Sequence, residues 1–183
     1  MKKLLLFLLI AVTTFAITNG QFTKVGGGLG YATSFKFHYN IDDANKSGNL
    51  NIFMKGIYEL AQPIHISGSF TYFLPHITKE KQFTETIKTT VSSMMFDINE
   101  QYVFNSLDNY EFYAFGGLNI ILLRKKVDSK IKPDPEKDNA LGFNIGVGTY
   151  MKMTDKFDFF GEAKFIARRR GQLMINVGVL LNL

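Results

Sequence analysis

His65 and Ser67 are the two side chains whose types and spacing come nearest to a catalytic pair. An imidazole within hydrogen-bond reach of a hydroxyl can take its proton and make the oxygen a nucleophile. Residues two apart on a β-strand share a face, so the spacing allows such a contact. The alternating residues Ile64, Ile66 and Phe70 must then occupy the opposite, apolar face. We therefore expect His65 and Ser67 to make interior hydrogen bonds, away from any substrate on the apolar side.

The remaining ionisable side chains are dispersed along the sequence. Glu162 and Lys164 lie two apart and predict an interior ion pair or network. Asp158 shares their face, but the strand rise places it about 13 Å from Glu162, too far for a pair of hydrolytic carboxylates. The histidines are His38, His65 and His76. Their separation in sequence does not suggest a metal site, and we predict no catalytic, cofactor-binding or metal-binding residues.

A glycine-rich run, Gly26-Gly27-Gly28-Leu29-Gly30, has the composition of a phosphate-binding loop. Such a loop precedes a helix whose N-terminus holds the anion. Here the alternation typical of a strand continues instead, which argues against a nucleotide site. Glycines on the inner face of a narrow barrel leave room for larger side chains from the opposite strands, and this is the role we predict for them.

Alternation of apolar and polar residues recurs along the chain and predicts eight strands. It is clearest near the C-terminus, where every second residue from Leu173 to Leu183 is aliphatic. Both parities of the fifth strand carry apolar residues, so the pattern does not decide which side of that strand faces inward. The predicted strands span 23–39, 50–60, 64–73, 86–104, 110–123, 140–153, 157–167 and 172–183.

Long polar connections alternate with tight turns between these strands. The predicted long connections are 40–49, 74–85 and 124–139, and the predicted tight turns are 61–63, 105–109 and 154–156. Even-stranded outer-membrane barrels have this asymmetry, with short periplasmic turns and longer external loops. The sequence thus predicts an all-β fold, an eight-stranded antiparallel up-and-down transmembrane β-barrel formed by residues 21–183, with both termini in the periplasm.

A soluble lipocalin-like ligand carrier is the alternative. In such a barrel the apolar residues of the alternating pattern would face the interior and the polar ones the solvent. The polar parity here is largely Gly, Ser, Asn and Thr, with few of the Lys and Glu residues that cover a soluble surface. The chain has no tryptophan and so lacks the Gly-x-Trp motif of lipocalins. Aromatic residues near strand ends predict the two girdles of a membrane barrel: Phe35, Phe37, Tyr39 and Tyr72, and Tyr58, Tyr102, Tyr110 and Phe157.

An eight-stranded barrel is roughly filled by side chains, so we predict a filled polar interior without an open pore. Ionisable groups inside it must pair or meet water, since an isolated buried charge costs several kcal/mol. The residues predicted to do so are Lys24, Lys55, Glu59, His65, Asp97, Glu111, Lys152, Glu162 and Lys164.

Residues 1–20 have the organisation of a secretory signal peptide. Lys2 and Lys3 precede the apolar run 4–17, and Thr18-Asn19-Gly20 offers a cleavage site. An uncleaved anchor is the alternative, but the run is shorter than the roughly 20 residues of a spanning helix. The chain has no cysteine, which excludes an acylated-cysteine anchor, a disulfide scaffold and a thiolate metal site. Its formal net charge of +5 is spread among acidic residues and does not indicate nucleic-acid binding.

Three segments, 25–31, 143–148 and 175–179, resemble the small OmpA/OmpX-like outer-membrane β-barrel superfamily of Gram-negative bacteria; they read VGGGLGY, FNIGVG and INVGV. The resemblance implies location in the cell outer membrane, insertion by the barrel assembly machinery, and contact with outer-membrane lipids and lipopolysaccharide. It also implies a structural or surface-interaction role, with an extracellular ligand bound through loops 40–49, 74–85 and 124–139.

The His-x-Ser spacing is similar to that of outer-membrane lipid A deacylases, which implies a lipid-modifying enzyme as the runner-up. Because His65 and Ser67 should point inward, we expect the protein not to be an enzyme. Arg168-Arg169-Arg170 is predicted at the outer rim, either as a solvated turn or as a contact for lipopolysaccharide phosphates.

Overall fold

The computed structural model describes residues 21–33, 49–82, 85–128, 135–168 and 171–183. They form eight strands, each antiparallel to its neighbour in sequence, and β1 also pairs with β8 to close the barrel. The predicted fold class is therefore confirmed. No helix in these ranges has the length and hydropathy needed to span a bilayer. The strands are β1 (Gln21–Ala32), β2 (Asn49–Ala61), β3 (Ile64–Gln82), β4 (Glu85–Leu107), β5 (Tyr110–Asp128), β6 (Glu136–Lys152), β7 (Phe157–Ala167) and β8 (Gln172–Asn182).

The apolar parity of the strands faces outward. Along β8, Leu173, Ile175 and Val177 are exposed, whereas the intervening Met174 and Asn176 are buried. A continuous wall of exposed Leu, Ile, Val and Phe is unfavourable in water and favourable in hydrocarbon. The outward facing thus agrees with the membrane barrel and contradicts the lipocalin-like alternative.

The facing of β5, which the sequence left open, is decided in the structure. Tyr113 and Asn119 are buried in the lumen, and Leu118 and Ile120 are exposed on the wall. Apolar residues occur on both parities of this strand because its inward side chains include aromatic rings that fill the lumen.

We call the end with the tight turns after β2, β4 and β6 the turn end, and the opposite end the loop end. At the loop end β3 runs to Gln82 and β5 to Asp128, so predicted loops at 74–85 and 124–139 are wrong for most of these residues. Both faces of these strand ends lie beyond the apolar wall. A strand pair without a lipid-facing side needs no apolar–polar alternation. The sequence periodicity therefore does not identify these residues as strands. Residues 40–48 of the predicted loop 40–49 and residues 34–39 of the predicted first strand lie outside the described residues, and Asn49 begins β2.

Pro75 lies within β3, although proline is more typical of loops than of strands. The ladder between β3 and β4 shifts register between Phe73 and His76, so Pro75 falls in an irregularity where no ladder N–H is required. The predicted turn 105–109 is likewise shorter, because β4 continues to Leu107.

Aromatic side chains surround the turn end, as the sequence predicted. Tyr102, Tyr110 and Phe157 are exposed there, and Phe22 packs edge-on against Tyr58 with ring centroids 5.6 Å apart. Amphipathic rings at this level match the interfacial girdle of membrane barrels. Of the predicted loop-end girdle, only Tyr72 lies within the described residues, and it is partly buried.

The glycines of the barrel permit two kinds of close approach. A Cβ on Gly146 or Gly148 would meet the rings of Phe115 and Tyr113, as predicted for inward glycines facing large side chains. A Cβ on Gly28 would instead meet the backbone of β8, at the Val177 carbonyl oxygen. The barrel therefore closes between β1 and β8 where these backbones approach too closely for a side chain.

We predict that most molecules of the Gly28→Val variant do not fold, because the new side chain would meet backbone atoms of β8. Backbone atoms cannot move aside as a flexible side chain would. Gly68→Val is the matched control, since a Cβ on Gly68 meets no atom within 4 Å. The measurement is the mobility of unheated and heated samples on a denaturing gel after refolding into lipid vesicles. Equal folded fractions for the two variants would contradict the close approach.

Candidate functional site in the lumen and on the barrel wall

A buried ion pair between Lys55 of β2 and Glu162 of β7 crosses the lumen. The Tyr113 hydroxyl donates a hydrogen bond of 2.7 Å to the same carboxylate oxygen, Oε1 of Glu162. The ammonium also lies 5.1 Å from the centroid of the Phe160 ring and 5.5 Å from that of Tyr113. The ammonium of Lys55 is thus compensated by one carboxylate and by aromatic faces, in a site where both charged side chains are buried.

A second buried network surrounds Asp97 of β4. Its Oδ2 accepts hydrogen bonds from Lys164 Nζ at 3.1 Å and from Ser69 Oγ at 2.9 Å. Its Oδ1 accepts one from Asn144 Nδ2 at 2.8 Å, and the same amide nitrogen lies 2.8 Å from Asn99 Oδ1. Four strands are therefore tied to one carboxylate, as expected for a buried charge that must have several partners.

At the turn end, Lys24 lies between two carboxylates. Its Nζ is 2.6 Å from Asp158 Oδ2 and 3.6 Å from Glu111 Oε2, and Asn182 donates to the other oxygen of Asp158 at 3.1 Å. A cavity of about 280 Å³ opens beside this group. Asp158 and Glu162, which share a face of β7, therefore bind different lysines, Lys24 and Lys55.

The prediction for Lys152 is wrong. Its side chain is 53% exposed at the turn end and forms an ion pair of 2.9 Å with Asp155. The hydrogen bond from this ammonium lowers the pKa of the Asp155 carboxyl below its usual value and raises that of Lys152. Because β6 ends at Lys152, its side chain can point toward Asp155 in the turn that follows and need not enter the lumen.

Two apolar clusters inside the barrel were not predicted. One, toward the loop end, consists of Ala32, Phe73, Met95, Ile121, Ile166 and Met174. The other consists of Phe53, Ile57, Tyr113, Phe115, Tyr150, Phe160 and Leu180. The interior is filled and contains the predicted charges other than Lys152, but the ion pairs are held between apolar and aromatic layers. The available signal was the presence of Phe53, Ile57 and Leu180 on an otherwise polar parity.

His65 and Ser67 both point into the lumen and are buried, as predicted. His65 Nε2 lies 4.0 Å from Glu59 Oε2, so the ring faces a carboxylate across the β2–β3 ladder. Neither side chain reaches the lipid side of the wall. Within the described ranges, no group of three or more His, Cys, Asp or Glu residues is placed to hold a metal ion.

Glu100 of β4 lies on the apolar outer wall and was missed by the sequence analysis. It is exposed, between Ile98 and Tyr102 along the strand, and pairs in the ladder with Ile66 and Gly116. Among the residues that the structure describes, it is the one charged side chain on the apolar wall. It was recognisable in sequence as the break in an apolar parity that runs from Met94 to Phe104.

The outward face of the loop-end extension is strongly basic. Residues paired in an antiparallel ladder share a face, and Lys79 pairs with Lys88, Ser92 with Arg124, and Arg124 with Lys137. On this face, Asp128 is the acid whose side chain is described. It forms an ion pair with Lys126, in which Nζ and Oδ1 are 3.2 Å apart. We call the following set the basic face: Lys79, Lys88, Arg124, Lys126 and Lys137.

A groove of about 460 Å³ lies where the basic face meets the apolar wall. Exposed Met94 and Leu122 line its lower part, and Arg124 and Lys137 line its upper part. The groove therefore offers an apolar surface and cations to the same ligand.

Arg168 adds a further cation at the loop end. Its Nη2 lies 2.5 Å from Gln172 Oε1, and burial lowers the pKa of its guanidinium. This residue is therefore held against β8 and is not only part of a solvated turn. Arg169 and Arg170 lie outside the described residues.

Residues 4–176 match the sequence model of a family described as the outer membrane protein beta-barrel domain. The chain belongs to this family. Its membership, together with the apolar wall, establishes location in the outer membrane. No curated protein matches the sequence.

Solved outer-membrane barrels have the same fold. OprG of Pseudomonas aeruginosa superposes with a TM-score of 0.63 at 11% identity, covering 90% of this chain and 96% of that one. The N-terminal barrel of OprF from the same organism gives 0.59 at 16% identity, covering 90% and 100%. Ail of Yersinia pestis, solved with the heparin analogue sucrose octasulfate, gives 0.57 at 14%, covering 91% and 100%. At these identities the likeness shows the fold alone.

We predict that Lys55→Met lowers the free energy of unfolding by about 3–5 kcal/mol, because it leaves the Glu162 carboxylate buried without its cation. The double variant Lys55→Met/Glu162→Leu should recover most of this loss, since two apolar side chains can replace a buried pair. Urea unfolding in lipid vesicles, followed by far-ultraviolet circular dichroism, measures both. Lys152→Met, which breaks an exposed pair, serves as the control and should cause no measurable change. A single variant as stable as the double would contradict the role of the pair.

Proposed function

We propose that this protein is a non-enzymatic surface-interaction barrel of the outer membrane, and that its basic face binds the phosphates of lipopolysaccharide. The observation that carries the proposal is the placement of the cations. They project outward from strands that continue directly from the apolar wall, at the level where a lipid's phosphates follow its acyl chains.

The orientation is part of the proposal. Residues 1–20 act as a signal peptide that is removed after export, the turn end faces the periplasm, and the loop end faces the outside. Short turns on the periplasmic side and long extensions outside are the general arrangement of such barrels. The basic face then lies in the outer leaflet, where lipopolysaccharide presents phosphates to it.

The charge balance of the basic face supports an anionic ligand. Five cations share this face with Asp128, so most of their charge is not neutralised by a carboxylate whose side chain the structure describes on that face. Arginine and lysine side chains bind phosphate oxygens through charge-assisted hydrogen bonds. The groove beneath Arg124 and Lys137 adds an apolar surface on Met94 and Leu122, which suits an acyl chain of the same lipid.

A soluble polyanionic glycan is the second candidate for the loop end. Ail, a barrel of the same fold, was solved with sucrose octasulfate, a polysulfated ligand. In this chain such a ligand would reach the basic face from outside without using the apolar part of the groove. The ends of β3 to β6 at the loop end would surround it.

Catalysis has little support from the placement of His65 and Ser67. Both are enclosed in the lumen, with Ile64 and Ile66 on the lipid side of the same strand. A lipid-modifying enzyme needs its nucleophile on the surface that the lipid contacts. We also propose that the barrel has no open pore, because ion pairs and aromatic rings from opposite strands fill the lumen.

The triple variant Lys88→Ser/Arg124→Ser/Lys126→Ser should weaken lipopolysaccharide binding by roughly tenfold or more, a loss of about 1.4 kcal/mol, because three phosphate-binding cations are removed. Wild-type binding should also weaken as salt rises, since exposed charges are screened. Surface plasmon resonance on protein in detergent micelles, with lipopolysaccharide as the analyte, measures both effects.

Lys152→Ser/Lys156→Ser is the matched control, since it removes lysines at the opposite end of the barrel. Equal affinity for the triple variant, the control and the wild type would refute the proposal. Sucrose octasulfate and dephosphorylated lipopolysaccharide serve as further analytes and distinguish the two candidate ligands. If the wild type binds sucrose octasulfate, but binds intact lipopolysaccharide as weakly as the dephosphorylated form, the ligand is a soluble polyanion.

A further inference from the structure

Glu100 is a carboxylate on a surface that otherwise meets hydrocarbon. Ionisable residues at such positions are unfavourable, and those facing lipid therefore call for a partner that compensates the charge. The side chains around Glu100 do not supply one, because its neighbours along β4 and across both ladders are Ile98, Tyr102, Ile66 and Gly116. A cation that compensates this carboxylate within the bilayer would come from a molecule that contacts the wall.

A groove of about 770 Å³ runs from Glu100 across the outer wall toward β8. Its floor is low because small residues, Ala114 and Gly116 on β5 and Ala163 on β7, replace the large side chains that cover the wall elsewhere. Its sides are apolar and consist of Tyr102, Ile145, Val147, Phe165 and Leu173. The shape is that of an open trough for a flexible apolar chain, with one carboxylate at its end.

Glu100 lies close to the turn end of the wall. Its ladder partner Ile66 is three residues from Pro63, whose carbonyl accepts a hydrogen bond of 2.9 Å from Val103 N–H. Three residues of strand span about 10 Å. A glutamate side chain can extend part of this distance toward the interface while its methylenes stay in the apolar layer. The carboxylate is thus within reach of lipid head groups at the turn end.

We propose that Glu100 and this groove form a binding site for an aminophospholipid, with the lipid ammonium on the carboxylate and one acyl chain in the trough. Charge complementarity selects this occupant. A second copy of the chain has no cation on its described apolar wall to offer, and a lipid that carries only a phosphate would be repelled. The site uses the proposed orientation, in which the turn end faces the periplasmic leaflet, and it lies on a different part of the wall from the basic face.

The test is native mass spectrometry of the full-length protein in detergent with equal amounts of phosphatidylethanolamine and phosphatidylglycerol. The wild type should retain phosphatidylethanolamine at least tenfold over phosphatidylglycerol. Glu100→Gln should abolish this preference, because the neutral amide keeps the shape and removes the charge. Gly116→Leu should reduce retention of both lipids, because its side chain occupies the trough.

Gly68→Leu is the matched control. It places the same side chain on the lipid-facing wall outside the groove, where a Cβ meets no atom within 4 Å, and Gly116 has similar room, with its nearest atom at 3.7 Å. The variant should bind lipid as the wild type does. Equal retention of the two lipids by the wild type, or an unchanged preference in Glu100→Gln, would overturn the proposal. A dimer that Glu100→Gln dissociates would overturn it in favour of a second copy.

The basic-face triple variant should keep the phosphatidylethanolamine preference. The two proposals can therefore fail separately, since one depends on lysine and arginine at the loop end and the other on a carboxylate near the turn end.

Discussion

Hydrocarbon provides no hydrogen-bond partners, and this constraint shapes every level of the structure. The backbone meets it by closing the sheet between β1 and β8, so that each of the eight described strands is paired on both sides. The side chains meet it by sorting to two sides, with apolar residues outward and polar residues in the lumen. Closure in turn requires close backbone approach, which is why Gly26 and Gly28 lie against β8.

The same constraint explains why the lumen contains paired charges within apolar layers. Polar residues sorted inward must find partners there, and the separate groups around Glu162, Asp97 and Asp158 do so with one lysine each. Breaking such a pair is costly, whereas forming it adds little beyond what packed apolar residues would provide. Each pair joins β7 to a strand that is not its neighbour in the sheet, β2, β4 or β1, so the pairs link separate parts of the wall across the lumen, and the aromatic clusters fill the remaining space. Side chains enclosed in this way do not contact the lipid, and the binding sites that we propose therefore lie on the outer wall and at the loop end.

Sequence alone predicts most of the fold because period-two alternation reports directly on the two sides of the wall. It succeeds for β8, where the pattern is strict, and leaves β5 undecided, where Tyr113 and Phe115 turn large rings inward. The alternation stops at the loop end, because strands with no lipid-facing side lose it, and its absence predicts loops at 74–82 and 124–128 where the structure has strands. Pairings such as Asp97 with Lys164 depend on how far the strands are staggered around the barrel, which no local pattern encodes. Glu100 was visible as an interruption of apolar parity, but its groove exists only once β4 to β8 are placed side by side.

The central claim is that hydrocarbon contacts the Leu, Ile, Val and Phe side of the strands. Nitroxide labels at Val177→Cys and Asn176→Cys test it most directly, because the chain has no native cysteine and the two residues are adjacent on β8. In lipid vesicles, electron paramagnetic resonance should show the label at position 177 relaxed by oxygen, which concentrates in hydrocarbon, and unaffected by a water-soluble nickel chelate. The label at position 176 should be poorly accessible to both. A label at position 177 that responds to the chelate and not to oxygen would contradict the account.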